Sequence, residues 1–353
     1  MNQVGVYSDI AQAAALPRPV RLQPDNLVAV PFFLMKMLPA AFILDQAAAE
    51  GRIRPGSLVI ETTSGTFGLA LAILCNLKGY RLILVSDPAI DRPLRLRLED
   101  LGATVEIVST PAAVGGYQRA RLERMARLQA ENPAHFWPSQ YHTVHNWGAY
   151  APLAAMLVER LGRVDCLVGT VGSGGSMTGT GRYLRNLWPQ MRCLGVDTFG
   201  SVLFGQPEGP RALRGLGNSI MPTVLDHRTF DEVHWVSAAA AFRATRQLHG
   251  RHSLYAGATS GAAYLVARRH ALAHPEQTVV VLCPDEGVRY ASTIYSDDYL
   301  RQQGHWLDSV ELPAEPMKVA HPVEARPHWA CLDWGRRSYE EVLGRPFARE
   351  AAA

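Results

Sequence analysis

The sequence predicts an α/β protein built as two open parallel-sheet domains, with a functional cleft between them. Three observations carry that expectation. Short apolar runs rich in Val, Ile and Leu alternate with helix-forming stretches along most of the 353 residues. Two of these alternations share a special turn, in which a strand passes through glycine and hydroxyl residues straight into a helix: VIETTSGTFGLALA over 59–72 and CLVGTVGSGGSMTG over 166–179. One lies in each half of the chain, and ligands of open α/β sheets collect at such strand ends. The composition, 48% hydrophobic and 19% charged, suits a globular chain with room for two cores.

The elements follow in order. Residues 1–27 read as an irregular arm with Pro17 and Pro19 ahead of a short strand over 20–22. A strand stopping at Pro31 comes next, then a helix over 39–50 closed by Gly51. Pro55 and Gly56 turn the chain into a buried strand at 59–60, and strong helix formers give a helix over 69–77. Alternation continues with strands at 81–85 and 104–108 and helices at 94–101 and 117–129. One helix is predicted over 147–161, followed by a strand at 166–169 and a helix at 178–187. Strands at 193–196, 232–236 and 278–282 complete the pattern, with helices at 238–248 and 261–273 between the last two. After Leu300 the alternation lapses. Residues 301–353 hold Pro313, Pro316, Pro322, Pro327 and Pro346 beside Trp306, Trp329 and Trp334, and read as an extension lying on the globule.

Charge and cysteine usage narrow the function classes. A dispersed net charge of +3 gives no argument for a nucleic-acid partner. Lysine occurs only at 36, 78 and 318, so 32 of the 35 basic residues are arginine. The cysteines at 75, 166, 193, 283 and 331 show no CxxC spacing, which points to buried free thiols in a reducing compartment, with no disulfide frame and no metal site. No basic segment precedes an apolar core at the N-terminus, and the apolar run 28–44 is broken by Pro31, Lys36 and Pro39. A cytoplasmic protein without a membrane partner is expected.

Of the two special turns, Thr170-Val-Gly-Ser-Gly-Gly-Ser176 is the more telling. Three glycines let successive amides converge on an anion at a helix N-terminus, where the helix dipole adds to the attraction. It fits neither the P-loop pattern nor a dinucleotide fingerprint, so a compact phosphate is the expected ligand, with a merely tight turn as the alternative. The 59–72 turn offers hydroxyls and free amides in the same way; a well-capped βα turn is its plain alternative. A third segment, Tyr255-Ala-Gly-Ala-Thr-Ser-Gly261, reads as a polar pocket wall or as ordinary capping.

In this order the motifs form a known set. The chain resembles the cysteine synthase family of pyridoxal-phosphate (PLP) enzymes, fold-type II, over roughly residues 17–300. ETTSGTFG resembles the family's substrate-carboxylate loop, VGSGGSMTGTGRYL its phosphate loop and following helix, and GATSGAA the segment whose serine meets the pyridine nitrogen. LCPDEGVRYASTIYSDDYL resembles its closing segment. The resemblance implies PLP as cofactor, a lysine about 25 residues before the TSG loop to hold it, and a smaller mobile domain over 36–148. A larger cofactor-binding domain over 1–35 plus 149–300 follows from the same source, and the tryptophan- and proline-rich extension, suited to a strap on the body or on a second subunit, leads us to expect a homodimer.

Lys36 stands at the implied distance among Phe33, Leu34, Met35, Met37 and Leu38, whereas Lys78 sits at a helix end and Lys318 in the extension. A desolvated lysine has a lowered pKa, which favours the neutral amine that imine formation needs. By the resemblance Gly172, Ser173, Gly174, Gly175 and Ser176 hold the phosphate, and Ser260 faces the ring nitrogen. Thr63, Ser64, Gly65 and Gln140 grip the substrate carboxylate. Thr66 and Phe67 stand where the family has Asn and Thr, and an apolar stretch replaces its usual polar loop before the lysine.

Within the family, loops such as Ser86-Asp-Pro88, Ser139-Gln-Tyr141 and 196–205 resemble the siderophore-pathway branch, which joins the aminopropionate of O-phosphoserine to the amino group of glutamate. The implied reaction is β-replacement on an activated serine, O-phosphoserine or O-acetylserine, through an aminoacrylate. The expected nucleophile is an amino acid such as glutamate, its carboxylates clamped by Arg214 or Arg211. The alternatives are a sulfhydrylase using sulfide, and a catalytically impaired scaffold or partner protein.

Overall fold

The computed structural model describes residues 6–63, 65–113, 116–213, 215–306, 314–326 and 328–347. Helix α1 (Ile10–Ala13) begins at Asp9, whose carboxylate accepts from the Gln12 amide at 2.9 Å. Strands β1 (Val20–Arg21) and β2 (Leu27–Pro31) pair antiparallel, and α2 (Met37–Ala49) follows. Three βα units come next: β3 (Leu58–Thr62) with α3 (Thr66–Lys78), β4 (Arg81–Ser86) with α4 (Arg92–Asp100), and β5 (Ala103–Ile107) with α5 (Gly116–Glu131). The short α6 (His145–Gly148) ends this part.

The rest of the chain runs α7 (Ala151–Leu161), β6 (Cys166–Thr170), α8 (Gly175–Arg185), β7 (Arg192–Asp197) and β8 (Glu232–Val236). Then come α9 (Ala238–His252), α10 (Ala258–Ala273), β9 (Val279–Cys283) and α11 (Asp297–Gln302). It closes with β10 (Met317–Lys318), β11 (Trp329–Asp333) and α12 (Tyr339–Leu343).

The chain divides into two compact units. The first takes residues 6–17 and Phe32–Ala149, and holds a three-stranded parallel sheet in the order β3-β4-β5. Ala11 is buried in its core with Leu34, Met37, Ile43 and Phe67, so the N-terminal helix joins this unit and not the larger one. The second unit takes Arg18–Pro31 and the chain from Tyr150 onward. Its eight-stranded sheet runs β1-β2-β9-β6-β7-β8-β11-β10, parallel from β2 to β8, with an antiparallel neighbour at each end of that block. Every residue of β6 and β9 is buried, as expected of strands covered by helices on both faces.

Two departures from the sequence reading have clear causes. The single helix expected over 147–161 is split into α6 and α7 at Ala149–Tyr150, where the division between the units falls. Pro152 lies in the first turn of α7; it has no N–H to donate to Gly148, and its ring crowds that carbonyl. The segment read as an extension instead completes the sheet. β11 pairs antiparallel with β8 and β10 parallel with β11, and Trp329 and Trp334 are buried. All five cysteines are free and buried. Among the described residues no helix is long and apolar enough to cross a membrane.

Candidate active site

In the first unit the predicted lysine stands at the N-terminal end of α2, with its Nζ 3.5 Å from Gln140 Oε1 and 5.9 Å from the centroid of the Phe67 ring. Burial pushes the Lys36 ammonium down to about 8 from the usual 10.5. Lys78, by contrast, pairs with Asp45 at 2.7 Å on the surface. Gln140 is itself buried, and its carbonyl accepts from the Asn146 amide group.

Between Gln140 and the Thr63 turn sits Glu61, a residue no sequence argument singled out. It is buried at the end of β3, where its Oε1 accepts from the Thr62 amide at 2.9 Å and the Trp137 indole at 3.1 Å. Desolvation pushes it up to about 7, against the pull of these donors and of the Gln140 and Ser139 amides. Its sequence signal was a carboxylate inside an otherwise apolar strand.

The turn itself is shaped by close packing. Thr63 Oγ1 accepts from the Gly65 amide at 3.2 Å, and its methyl group lies where a Cβ on Gly68 would come within 2.7 Å. Gly65 is the N-cap of α3 and Thr66 its first residue, with no side-chain cap among the described residues. The Gly68 amide donates to Gly65 O at 3.1 Å, which leaves the Thr66 and Phe67 amides as the ones an anion could meet. Ser64 lies outside the described residues.

The second unit carries the glycine-rich turn. β6 ends at Thr170, and α8 begins at Gly175 with Gly174 as N-cap at φ +87°. A Cβ there would lie 2.6 Å from Leu225 Cδ1 and 2.9 Å from its Cα, so glycine is required by both conformation and space. The first turn of α8 is buried through Gly175 and Ser176, Ser173 is buried beside it, and no side chain caps the helix. A buried, uncapped helix start demands a partner for its amides. The loop is steadied from behind: Gly217 N donates to Val171 O at 2.9 Å, and Asn218 Nδ2 to Gly172 O at 3.4 Å.

On the same sheet, Ser260 stands in the first turn of α10, completely buried. Its Oγ lies beside the Cys283 thiol, which burial pushes up to about 12, and has no oxygen or nitrogen partner among the described residues. Arg211 donates to Gly200 O and Ser219 Oγ, both at 2.7 Å, so its guanidinium helps to tie its own loop together. Arg214 lies outside the described residues. Asp197 is a second buried carboxylate that sequence reasoning missed. Desolvation pushes it up to about 7, although the Thr198 amide donates to it at 2.8 Å.

A family described as "Pyridoxal-phosphate dependent enzyme" matches residues 31–285, most of the chain. The chain belongs to that family. It is an enzyme of the cysteine synthase group, with fold-type II architecture, and PLP is its cofactor. Among curated relatives, it is 38% identical over 273 residues to N-(2-amino-2-carboxyethyl)-L-glutamate synthase of Cupriavidus metallidurans, covering 75% of this chain and 80% of that one. The Ralstonia nicotianae protein of the same name is 38% identical over 270 residues, with the same coverage. Among solved structures, the O-acetylserine dependent cystathionine beta-synthase from Helicobacter pylori superposes with a TM-score of 0.75 at 26% identity. That likeness covers 83% of this chain and all of the other.

The residues present fit PLP. In the first unit a half-buried lysine with a pKa near 8 has the chemistry to take an aldehyde; in the second, taken by itself, a buried helix start lined by glycines has that for a phosphate, and a serine hydroxyl with no oxygen or nitrogen partner among the described residues that for a ring nitrogen.

Proposed function

We propose that this chain is a PLP-dependent β-replacement synthase. It joins the three-carbon unit of an activated serine, O-phosphoserine or O-acetylserine, to the amino group of an amino acid such as glutamate. The observation that carries the choice of nucleophile is the 38% identity to a synthase named for a glutamate product, over 80% of that protein's length.

Bound PLP supplies the electron sink that lets a β-leaving group depart and a nucleophile take its place. The chain does the rest. Lys36 would hold the cofactor's aldehyde and, as a free amine, would take the proton from the substrate Cα. A pKa near 8 lets one nitrogen serve both roles near neutral pH. Thr63, Ser64, Gly65 and Gln140 bind the substrate carboxylate, with the free amides of α3 adding their dipole. Thr66 would take the position that meets the oxygen substituent of the PLP ring.

Gly172, Ser173, Gly174, Gly175 and Ser176 bind the phosphate, and Ser260 meets the ring nitrogen. A hydroxyl does not keep that nitrogen protonated, which favours elimination and replacement over transamination. Arg214 is assigned to the nucleophile's carboxylate. The larger unit is thus the cofactor-binding one, and residues 36–148 carry the substrate-binding turn. A cytoplasmic homodimer supplying a siderophore precursor is the setting that the family resemblance suggests.

A sulfur nucleophile is the second reading, favoured by the likeness to the Helicobacter pylori enzyme. Mass spectrometry of reactions with O-phosphoserine or O-acetylserine, offered glutamate and sulfide separately and together, decides between them. The proposal expects a secondary-amine adduct of glutamate. Cysteine as the sole product, with no adduct to any amine, rejects it.

A further inference from the structure

Two carbonyls of the glycine-rich turn are held from outside it. Val171 O accepts from the Gly217 amide at 2.9 Å, and Gly172 O from Asn218 Nδ2 at 3.4 Å. The approach is close, since a Cβ on Gly172 would lie 3.0 Å from Gly215 O. A trans peptide unit points its N–H opposite its C=O. Fixing these carbonyls against residues 215–218 therefore turns the next two amides, of Gly172 and Ser173, to the opposite side of the chain.

Asn218 is buried and held at each of its other polar groups. Its amide donates to Ser201 Oγ at 3.0 Å, and its carbonyl accepts from Val202 N at 2.9 Å. Its Oδ1 accepts from the Ser219 amide at 2.9 Å and the Ile220 amide at 3.3 Å, which fixes the side chain with Nδ2 toward Gly172. Gly217, at φ +73°, is pressed against the end of β7, where a Cβ would lie 2.8 Å from Ser201 Cβ and 3.0 Å from Asp197 Oδ1. Ser201 is fully buried, and the chain just beyond it is anchored by Phe204, packed edge-on against Phe230 at 5.2 Å and Trp334 at 5.1 Å. Within one unit, the turn thus leans on a packed and hydrogen-bonded support.

We propose that Asn218 is a positioning residue for the cofactor phosphate: by holding Gly172 O it aims the Ser173 amide, and Gly217 beside it the Gly172 amide, at the anion that the turn binds. This rests on the reading that the turn binds the PLP phosphate. In this role Asn218 acts through the turn, so its effect requires a phosphate on the ligand.

The test titrates the apo-form of the full chain with PLP and with pyridoxal, which has the same aldehyde and ring but no phosphate, followed by tryptophan fluorescence. Asn218→Ala is expected to weaken PLP binding about tenfold, through the loss of one buried hydrogen bond and the alignment it keeps, and to leave pyridoxal within about twofold of wild type. The phosphorus NMR resonance of bound PLP is expected to move with it. Ser201→Ala removes the acceptor of the Asn218 amide and is expected to act in the same direction by about threefold; it carries the test if Asn218→Ala does not fold. Equal weakening of PLP and pyridoxal, or PLP binding unchanged in both variants, overturns the proposal. Gly174→Leu, measured alongside, separates that failure from a failure of the reading beneath it. If Gly174→Leu weakens PLP while the Asn218 and Ser201 variants do not, the positioning role alone is wrong. If Gly174→Leu binds PLP as wild type does, the turn is not the phosphate site and the proposal falls with it.

Discussion

The two strand–turn–helix motifs look alike in sequence and are built in opposite ways. At Gly174 a side chain is forbidden twice over, by a left-handed backbone and by Leu225 within 3 Å of the Cβ position. At Gly65 the backbone is extended, with φ −139°, and a Cβ would meet nothing within 4 Å. Among the described residues no side chain caps the helix that either turn opens. One is a rigid mould, the other an open mouth. The difference suits two kinds of anion: a cofactor phosphate that stays, and a substrate carboxylate that comes and goes. A fixed ligand repays close packing, whereas an exchanging one needs room and amides that are free between turnovers.

The largest expected effect comes from filling the mould. Gly174→Leu, in a protein that still folds, should weaken PLP binding by about a hundredfold, through left-handed strain and collision with Leu225. Retained PLP after dialysis, measured by absorbance, removes the Val171–Ser176 turn from the site. Next is the pH dependence of cofactor attachment on the open side. Burial lowers Lys36 from 10.5 to about 8, so the neutral amine grows in as pH rises through 8. The rate of PLP uptake by apo-protein should climb with a midpoint near pH 8 and level off above it; a midpoint near 10.5 contradicts a buried lysine. The sign for stability agrees. Between pH 8 and 10.5 the unfolded chain binds more protons at this group, so its cost to folding, full below 8, is relieved over that window.

A smaller effect belongs to Glu61. Its folded pKa of about 7 lies above the usual 4.5, so the folded state binds the extra proton between those values. Stability should therefore fall as pH rises from 4.5 to 7. Glu61→Gln should flatten part of that slope in melting temperatures taken between pH 5 and 7, while Asp197 and Asp285, raised to about 7 and about 6, keep the remainder. An unchanged slope shows that Glu61 is not buried as a carboxylate. The smallest effect is Gly65→Ala. Extended backbone and open space predict a melting temperature and PLP content equal to wild type, with only the KM of the serine donor raised, by about threefold. A loss of PLP comparable to Gly174→Leu erases the contrast between the turns.

How much of this was legible in the sequence follows from which interactions are local. Strand–helix alternation is, because apolar runs and helix formers are contiguous, and most elements lie within a few residues of their expected places. The split at Ala149–Tyr150 was legible too, in Pro152, but amphipathic continuity across 147–161 hid it. β11 could not be read, because its partner β8 lies nearly a hundred residues earlier and the surrounding prolines masked the short run Trp329–Asp333. In the site, Lys36 stood out by its apolar neighbours, and the glycine turn by its composition. Glu61 and Asp197 stood out less, since a carboxylate near the end of an apolar strand is a signal that does not say whether water or protein surrounds it. Arg211 shows a related limit: the sequence does not tell a guanidinium that bonds within its own loop, as this one does, from one that meets a ligand.

The central claim, that Lys36 holds PLP, has a direct measurement because the chain has only three lysines. Borohydride reduction of the purified holoenzyme, followed by digestion and peptide mass mapping, fixes the cofactor to whichever lysine bears it. The account predicts the reduced PLP mass on the peptide containing Met35-Lys36-Met37 and loss of the visible absorbance in Lys36→Ala. Label on Lys78 or Lys318, or a Lys36→Ala protein with its absorbance intact, would contradict it.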